Sequence, residues 1–254
     1  MHLPTIRVLK ILESIAEDSG GKRLSDFSRE LDIPKSTLLP ILQTLCEKHY
    51  LNQLDSGRYT AGTALFSLGA TFSGCFPVLD YVRSQLSELV DIVGETCYCG
   101  VLADGLVLYL EKVDSPQPLR VLTNTGKRLP AYASSIGKAL LMEKTEAELH
   151  AIYPNGLTQL TANTITDISA LSQQLTIARR DGYTWEVEES TEHIRCFAVP
   201  IRKHGKIISA ISVAIPLFRY REEKRLQIIA VLQDYASQIG RMIERTDAHF
   251  GESF

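Results

Sequence analysis

Residues 24–60 read LSDFSRELDIPKSTLLPILQTLCEKHYLNQLDSGRYT, and this stretch decides the fold of the first part of the chain. The triplet Asp32-Ile33-Pro34 separates two amphipathic segments, because proline has no N–H and disfavours helix in the residue before it. In the second segment the apolar residues recur at helical spacing; they are Leu38, Ile41, Leu42, Leu45 and Cys46. A hairpin signal, Asp55-Ser56-Gly57, follows. This order predicts a winged helix-turn-helix, a module that places one helix in the DNA major groove.

The ends of these elements are predicted from local chemistry. Ser25 is a candidate cap for the first helix, and Leu24 is expected to pack at its entrance. Upstream, apolar residues spaced along 6–15 predict a supporting helix.

The polar side of the second helix supplies candidate DNA contacts, since its side chains suit phosphates or base edges. These are Lys35, Ser36, Thr37, Gln43 and Thr44. Arg58 lies in the hairpin around Asp55-Ser56-Gly57, which forms the wing of the module, and is expected near a phosphate. Residues 1–75 carry eight basic and eight acidic side chains, so the net charge of this part is zero. A non-specific binder is expected to be more basic. We therefore expect a dimer that reads a pseudopalindromic operator; the alternative is a helical subdomain that binds protein or nothing.

The bulk composition is that of an ordinary globular protein. The chain has 254 residues, of which 44% are apolar and 22% charged, and its net charge is −3. With no run of 18 apolar residues and no signal-peptide pattern, we expect a cytoplasmic protein without a membrane partner. The five cysteines show no C-x-x-C spacing, so free thiols are expected rather than disulfides or a zinc site.

The chain is expected to divide into a winged helix-turn-helix domain (1–61), a linker helix (62–76) and an effector-binding and oligomerisation domain (77–254). In the last part, turn signals at Asp104-Gly105 and Lys203-His204-Gly205 predict hairpins. The predicted strands are Cys97–Ala103, Leu106–Val113, Leu119–Asn124, Tyr183–Glu188, Arg195–Arg202 and Lys206–Ile215. The predicted helices are 78–93, 135–152, 167–180 and 221–245. Helices mixed with hairpins indicate an α+β fold with an antiparallel sheet.

Two segments of this second part point to a ligand. In the stretch WEVEES, alternation places Glu186 and Glu188 on one strand face and Trp185 on the other, so at least one acid is a candidate for the covered side of the sheet. The small residues 133–137 lead into a helix, whose N-terminal N–H groups suit a carboxylate. The alternatives are a solvated strand face and simple close packing.

An enzyme is the rival interpretation. Cys196, with His193 and Glu189 nearby in sequence, has the composition of a nucleophile, its base and an orienting acid. However, Cys196 opens an apolar strand, where cysteine is usually a small buried hydrophobe. No cluster has metal-ligand spacing, and no cofactor motif is complete. A protein-interaction scaffold that binds neither DNA nor a metabolite is a third possibility.

Three ordered motifs resemble those of IclR-type transcriptional regulators, over nearly the whole chain. The first is Ile33-Pro34-Lys35-Ser36-Thr37 followed by Leu42-Gln-Thr-Leu45. The second runs from Gly126 to Leu141. The third comprises Gly182-Tyr183, Glu188-Glu189, Cys196-Phe-Ala-Val-Pro200, Gly205 and Ala210-Ile-Ser-Val213.

This resemblance implies a GAF-like α/β effector-binding domain after the DNA-binding domain. It implies a homodimer or tetramer that acts as a repressor of a catabolic operon, without catalysis and without a cofactor. The pocket positions of the family fall on Val121, Leu129, Ser135, Ile136, Glu186, Ile194, Cys196, Ser212 and Ala214. Effectors in this family are small organic acids or aromatic compounds, and the implied effector is a small organic acid.

Departures from the family pattern refine this expectation. Members that sense two-carbon acids have Gly-Ala at Ser135-Ile136, Asp at Glu186 and Ser at Ala214. With a glutamate opposite the helix entrance, we expect a monocarboxylate that carries hydroxyls, such as a sugar acid, and rejection of dicarboxylates.

Pro40 is a further departure, because the family usually has arginine there. Since an interior proline costs a helix about 3 kcal/mol, we expect the regular helix to begin at Thr37, with Pro40 in its first turn.

Overall fold

The computed structural model of the chain describes residues 2–18, 20–71, 76–118 and 124–246. Of the predicted strand Leu119–Asn124, residues 119–123 lie outside this description, and so does the expected pocket residue Val121. The chain forms two compact units, Met1–Gly74 and Cys75–Phe254.

The first unit is a winged helix-turn-helix, as the sequence predicts. Its elements are α1 (Leu3–Glu17), β1 (Lys22–Arg23), α2 (Leu24–Leu31), α3 (Lys35–Glu47), β2 (Leu51–Gln53), β3 (Arg58–Ala61) and α4 (Thr63–Thr71). The three short strands form an antiparallel sheet in the order β1-β3-β2. Phe27 of α2 and the apolar face of α3 are buried together with Ile11 of α1 in one core. The apolar residues that recur with a 3.6-residue period therefore pack against the neighbouring helices.

The helix ends differ from the sequence expectation. Ser25 is not the cap of α2, because the helix begins at Leu24 and Arg23 is the capping residue. The Asp26 carboxylate accepts a hydrogen bond from the Arg23 N–H at 2.9 Å, which satisfies one of the N–H groups that a helix start leaves without a partner. Asp32 then ends α2 in the left-handed conformation, with φ of 53°.

The expectation that α3 begins at Thr37 is wrong. The helix begins at Lys35 after Pro34, so the exposed Pro40 lies in its second turn. The carbonyl of Ser36, four residues earlier, consequently receives no N–H from this position. The Thr44 hydroxyl donates to the Pro40 carbonyl at 2.8 Å. The helix start is fixed by the Pro34 turn and by burial of Leu38 rather than by the cost of the proline.

The second unit is built on a six-stranded antiparallel sheet in the order β6-β5-β4-β9-β8-β7. Its strands are β4 (Thr96–Ala103), β5 (Leu106–Val113), β6 (Arg128–Pro130), β7 (Thr184–Val187), β8 (Ile194–Lys203) and β9 (Lys206–Pro216). Its helices are α5 (Phe76–Val93), α6 (Ser135–Leu141), α7 (Glu146–Ile152), α8 (Ile168–Asp181) and α9 (Arg225–Thr246). Both predicted hairpins are confirmed, because Ala103 pairs with Leu106 and Lys203 with Lys206.

The sheet separates two hydrophobic cores. Helices α5 and α9 pack on one face and α6 packs on the other, where α7 and α8 contribute to the same core. The predicted single helix over 135–152 is wrong, because Thr145 caps a new helix and exchanges hydrogen bonds with Glu148 in a capping box. The short α6 that remains is the helix that positions the candidate site.

Pro40 generates a test of helix stability. Pro40→Ala restores an N–H to the carbonyl of Ser36 and removes no buried surface, so we expect the first unit to gain up to about 3 kcal/mol. Amide hydrogen exchange of residues 35–47 should slow accordingly. Pro34→Ala is the matched control, because Pro34 precedes the helix and blocks no intrahelical bond. Equal protection in the Pro40→Ala variant and the native chain would contradict this account.

Candidate functional site

A small cavity lies in the second unit between the inner face of the sheet and the start of α6. The volume of the cavity is about 30 Å³. Its lining residues are Tyr98, Tyr109, Leu129, Ser134, Ser135, Ile136, Ser190, Thr191, Ile194, Cys196, Ser212 and Ala214. Seven of these twelve side chains carry a hydroxyl, so the wall can both donate and accept hydrogen bonds.

Strand register brings the sheet side of the cavity together. Tyr98 of β4 lies directly opposite Ser212 of β9, and Cys196 of β8 lies opposite Ala214. Because side chains alternate across a strand, Ser212 and Ala214 share one face and project into the same space. The ring of Tyr109 packs edge-on against Tyr98 at 5.2 Å between centroids.

The helix side of the cavity is the start of α6. The Ser134 hydroxyl caps the helix by accepting from the Gly137 N–H at 3.2 Å. The N–H groups of Ser135 and Ile136 belong to the first turn, where a helix offers no internal acceptor. A Cβ on Gly137 would lie 2.2 Å from the Ala131 carbonyl oxygen, so only glycine allows this helix to sit so close to the preceding turn.

The cavity gathers most of the pocket residues expected from the sequence. Seven of the nine line it, namely Leu129, Ser135, Ile136, Ile194, Cys196, Ser212 and Ala214. Val121 lies outside the described residues. Glu186 does not line the cavity; its side chain is fully buried behind the wall, opposite Cys196 across β7 and β8.

Sequence reasoning missed four lining residues, which are Tyr98, Tyr109, Ser190 and Thr191, whereas Ser134 lies in the segment 133–137 that it singled out. Alternation places each tyrosine on one face of its strand, but which face is covered follows only from the pairing with β9. Ser190 and Thr191 lie in the loop between β7 and β8, where no periodic signal exists.

Glu186 belongs to a buried cluster of charged groups behind this wall. Its Oε2 accepts the Glu189 N–H at 2.8 Å, while its Oε1 has no hydrogen-bond partner in the described part of the chain. Burial raises the pKa of Glu186 to about 7, and the Cys196 thiol and the Glu189 N–H oppose that rise.

Lys138 and Glu189 form a buried ion pair in the same cluster. The Lys138 Nζ lies 2.5 Å from Oε1 of Glu189, and neither residue is appreciably exposed. Burial lowers the pKa of Lys138 and raises that of Glu189, and the mutual attraction of the two charges opposes both shifts. Two carboxyl groups thus face one ammonium group in this cluster.

The geometry does not support the cysteine-enzyme alternative. Burial raises the pKa of the Cys196 thiol well above its usual range, so the nucleophilic thiolate is disfavoured. The His193 ring is exposed and lies 3.4 Å from Glu188, not against the thiol. Within the described residues no group of histidine, cysteine and acidic side chains could hold a metal ion.

The candidate DNA-binding face lies on the exposed side of α3 in the first unit. Lys35, Ser36, Gln43 and Thr44 are exposed there, and Thr37 is half-buried. The Arg58 guanidinium in the wing donates to the Gly21 carbonyl at 2.5 Å, so one of its nitrogens holds the wing in place.

Leu39 is a residue of this face that sequence reasoning missed. It is 40% exposed and lies between Ser36 and Gln43 on the same side of α3. An apolar side chain at such a position can contact the methyl group of thymine in the major groove. The sequence does carry a signal for this residue: the apolar spacing of α3 assigns the buried face to other leucines, so Leu39 is left on the exposed face.

Comparisons with known proteins agree with both units. The family model of the IclR helix-turn-helix domain matches residues 5–55, and that of the bacterial transcriptional regulator IclR C-terminal domain matches residues 75–241. The HTH-type transcriptional regulator KdgR of Escherichia coli K12 is 31% identical over 251 residues, covering 96% of this chain and 94% of KdgR. The HTH-type transcriptional repressor AllR of the same strain is 30% identical over 237 residues, covering 92% of this chain and 87% of AllR.

A solved structure shares this fold with a ligand bound. It is an IclR homolog from Microbacterium hydrocarbonoxydans complexed with 4-hydroxybenzoate, with a TM-score of 0.80 and 26% identity. The match covers 96% of this chain and 99% of that one. Across the residues that the structure describes, no helix combines the length and the apolar character needed to cross a membrane.

The Glu186 carboxyl group predicts a pH dependence of stability. Its pKa is higher in the folded chain than in the unfolded chain, so between about pH 4.5 and 7 the folded state holds a proton that the unfolded state has lost. The free energy of unfolding should therefore fall as pH rises through this window, by up to about 3 kcal/mol. The free energy of unfolding of the Glu186→Gln variant should not show this part of the decrease.

Urea unfolding from pH 5 to 8 measures this difference, with the fluorescence of Trp185 as the signal. Trp185 is the one tryptophan of the chain and lies in the second unit, so it reports on that unit. Glu146→Gln, which changes an exposed acid on α7, is the control and should follow the native profile. Parallel pH profiles for the native chain and Glu186→Gln would contradict this assignment.

Proposed function

Because the chain belongs to the IclR family of bacterial transcriptional regulators, we propose that it is a repressor released from DNA by a small hydroxylated monocarboxylate. It is a ligand-responsive DNA-binding regulator and not an enzyme. The observation that carries the proposal is the cavity wall, in which seven of twelve side chains bear hydroxyls. A polar, neutral wall of this kind suits a ligand that carries several hydroxyl groups.

The carboxylate of the ligand is assigned to the start of α6. The N–H groups of Ser135 and Ile136 and the positive end of the helix dipole favour an anion there. The hydroxyls of the ligand then reach Ser212 and Thr191 at other points of the wall, while Leu129 and Ile194 contact its carbon chain.

A second carboxylate is disfavoured by the buried cluster behind the wall. Glu186 and Glu189 bring two carboxyl groups to one ammonium group, that of Lys138, so an added anion near Cys196 meets no spare positive charge. This separates monocarboxylates from dicarboxylates of the same length. Support for the general chemistry comes from the homolog complexed with 4-hydroxybenzoate, which is itself a monocarboxylate with a hydroxyl.

Release from DNA follows from linkage between the two units. A ligand that binds better to a dimer in which the two copies of α3 are wrongly spaced for the operator lowers the DNA affinity, and DNA lowers the ligand affinity by the same factor. A homodimer or tetramer in the bacterial cytoplasm, bound to a pseudopalindromic operator, is the assembly that this mechanism requires. A relative named as a transcriptional repressor, AllR, supports the sign of regulation.

A matched set of compounds tests the ligand class. D-gluconate has one carboxylate and several hydroxyls; D-glucarate adds a second carboxylate, D-glucitol lacks the carboxylate, and hexanoate lacks the hydroxyls. We expect D-gluconate to raise the melting temperature and to bind in calorimetry, and the other three compounds to bind at least tenfold more weakly. Tighter binding of D-glucarate, or binding of 4-hydroxybenzoate with none of D-gluconate, would contradict the sugar-acid assignment.

Ser212→Ala links that binding to the cavity. Loss of one hydrogen bond of about 1 kcal/mol should weaken the binding of D-gluconate roughly fivefold. Ser209→Ala, on the same strand, is the control, because its hydroxyl bonds to Gly100 and does not line the cavity. This variant should lose stability but keep its affinity.

The DNA-binding face is tested with duplexes selected from a randomised pool. Lys35→Ala should weaken binding to all duplexes. It should also reduce the slope of log affinity against log salt concentration by about one unit, as loss of one phosphate contact requires. Gln43→Ala should instead change the preferred sequence, since glutamine recognises a base edge. Lys10→Ala changes an exposed lysine of α1 and serves as the control. Unchanged affinity and salt slope in Lys35→Ala together with an unchanged preference in Gln43→Ala would contradict the assignment.

A further inference from the structure

The loop over residues 188–193 closes one side of the cavity. It joins β7 to β8 and supplies Ser190 and Thr191 to the wall. Both ends of the loop are held in the left-handed backbone region, with φ of 56° at Glu188 and 63° at His193. A non-glycine residue adopts that conformation at a cost, so contacts from the surrounding structure must hold the loop in place.

The outer side of this loop is held by hydrogen bonds to its backbone. Thr164 donates its hydroxyl to the Glu189 carbonyl at 2.7 Å, and the Thr161 hydroxyl donates to the Glu188 carbonyl. The Glu188 carboxylate accepts the His193 N–H at 2.7 Å, which closes the loop on itself. These contacts fix the ends of the loop but do not connect it to the helix across the cavity.

The inner side of the loop is held by one buried cation. Lys138 projects from α6, the helix whose first turn forms the opposite wall, and its Nζ lies 2.5 Å from Oε1 of Glu189. Glu186 adds a second contact by accepting the Glu189 N–H. The Lys138 side chain therefore ties the helix side of the cavity to the loop side.

We infer that Lys138 and Glu189 are positioning residues that hold the 188–193 loop over the cavity and thereby set effector affinity without touching the effector. The inference rests on the proposed function in assigning the effector to this cavity. The cavity has space for only a few atoms, so a six-carbon acid enters only when part of its wall is displaced. The loop is the part of the wall that is irregular in backbone and joined to α6 through this ion pair.

Amide hydrogen exchange of the full-length, effector-free chain tests the positioning directly. Lys138→Met keeps the length of the side chain and removes its charge, and Glu189→Gln keeps an acceptor oxygen for Lys138. We expect protection of the amides in 189–193 to fall at least tenfold in Lys138→Met and to a smaller extent in Glu189→Gln. Protection in β9, at 206–216, should stay within about twofold of the native value.

Arg219→Met is the matched control, since it breaks another ion pair of the same unit. The Arg219 guanidinium holds Glu95 at 2.8 and 2.6 Å, and neither residue lines the cavity. This variant should leave the exchange of 189–193 unchanged. Unaltered loop protection in both Lys138→Met and Glu189→Gln would overturn the inference, as would a loss of protection that spreads evenly over β8 and β9.

Binding of D-gluconate to the same proteins gives the second readout. We expect its dissociation constant to rise at least tenfold in Lys138→Met, less in Glu189→Gln, and not at all in Arg219→Met. Unchanged affinity in Lys138→Met overturns the link to the effector. If the native chain itself binds none of the acids, the proposed ligand class fails, whereas hydrogen exchange still decides whether the ion pair positions the loop.

Discussion

The close contact between α6 and the turn before it is the constraint on which the second unit depends. Gly137 has no room for a side chain against the backbone of Ala131, so the first turn of the helix is held tightly against that turn, on one face of the sheet. That placement brings Ser135 and Ile136, the first two residues of the helix, into the wall of the cavity. It also aims the next residue, Lys138, across the sheet toward Glu189. The missing Cβ of Gly137 thus allows the placement of both the helix start that lines the cavity and the lysine that pairs with the loop.

The features that the sequence predicts best are those with a local cause. The hairpins at Asp104-Gly105 and His204-Gly205 follow from residues that tolerate positive φ, and each of these four residues adopts it. The apolar period of α3 likewise predicts its buried face. Helix ends are harder to predict, because the start of α3 depends on the packing of its neighbours, and that packing outweighs the cost of Pro40.

The sequence predicts most of the residues of the candidate site but not how they are arranged. The family resemblance supplies most of the lining residues, yet it gives no orientation for Glu186, which backs the wall instead of forming it. Alternation does place Trp185 and Glu186 on opposite faces, and Trp185 packs in the other core. What the strand pattern cannot provide is the depth of a side chain behind its neighbours, or the position of a loop residue such as Thr191.

The hydroxyl-lined wall has a consequence for how this protein distinguishes molecules of similar size. When a compound lacks one hydroxyl, the wall group that would bond to it stays buried without a hydrogen-bond partner. The free-energy cost of that unpaired group exceeds the modest net gain of forming one hydrogen bond. Discrimination would then come mainly from what a wrong molecule leaves unsatisfied. By contrast, an extra methylene against Leu129 or Ile194 leaves no polar group unpaired, and its effect is limited to about 1–3 kcal/mol. The site would be stricter about the pattern of oxygen atoms than about carbon.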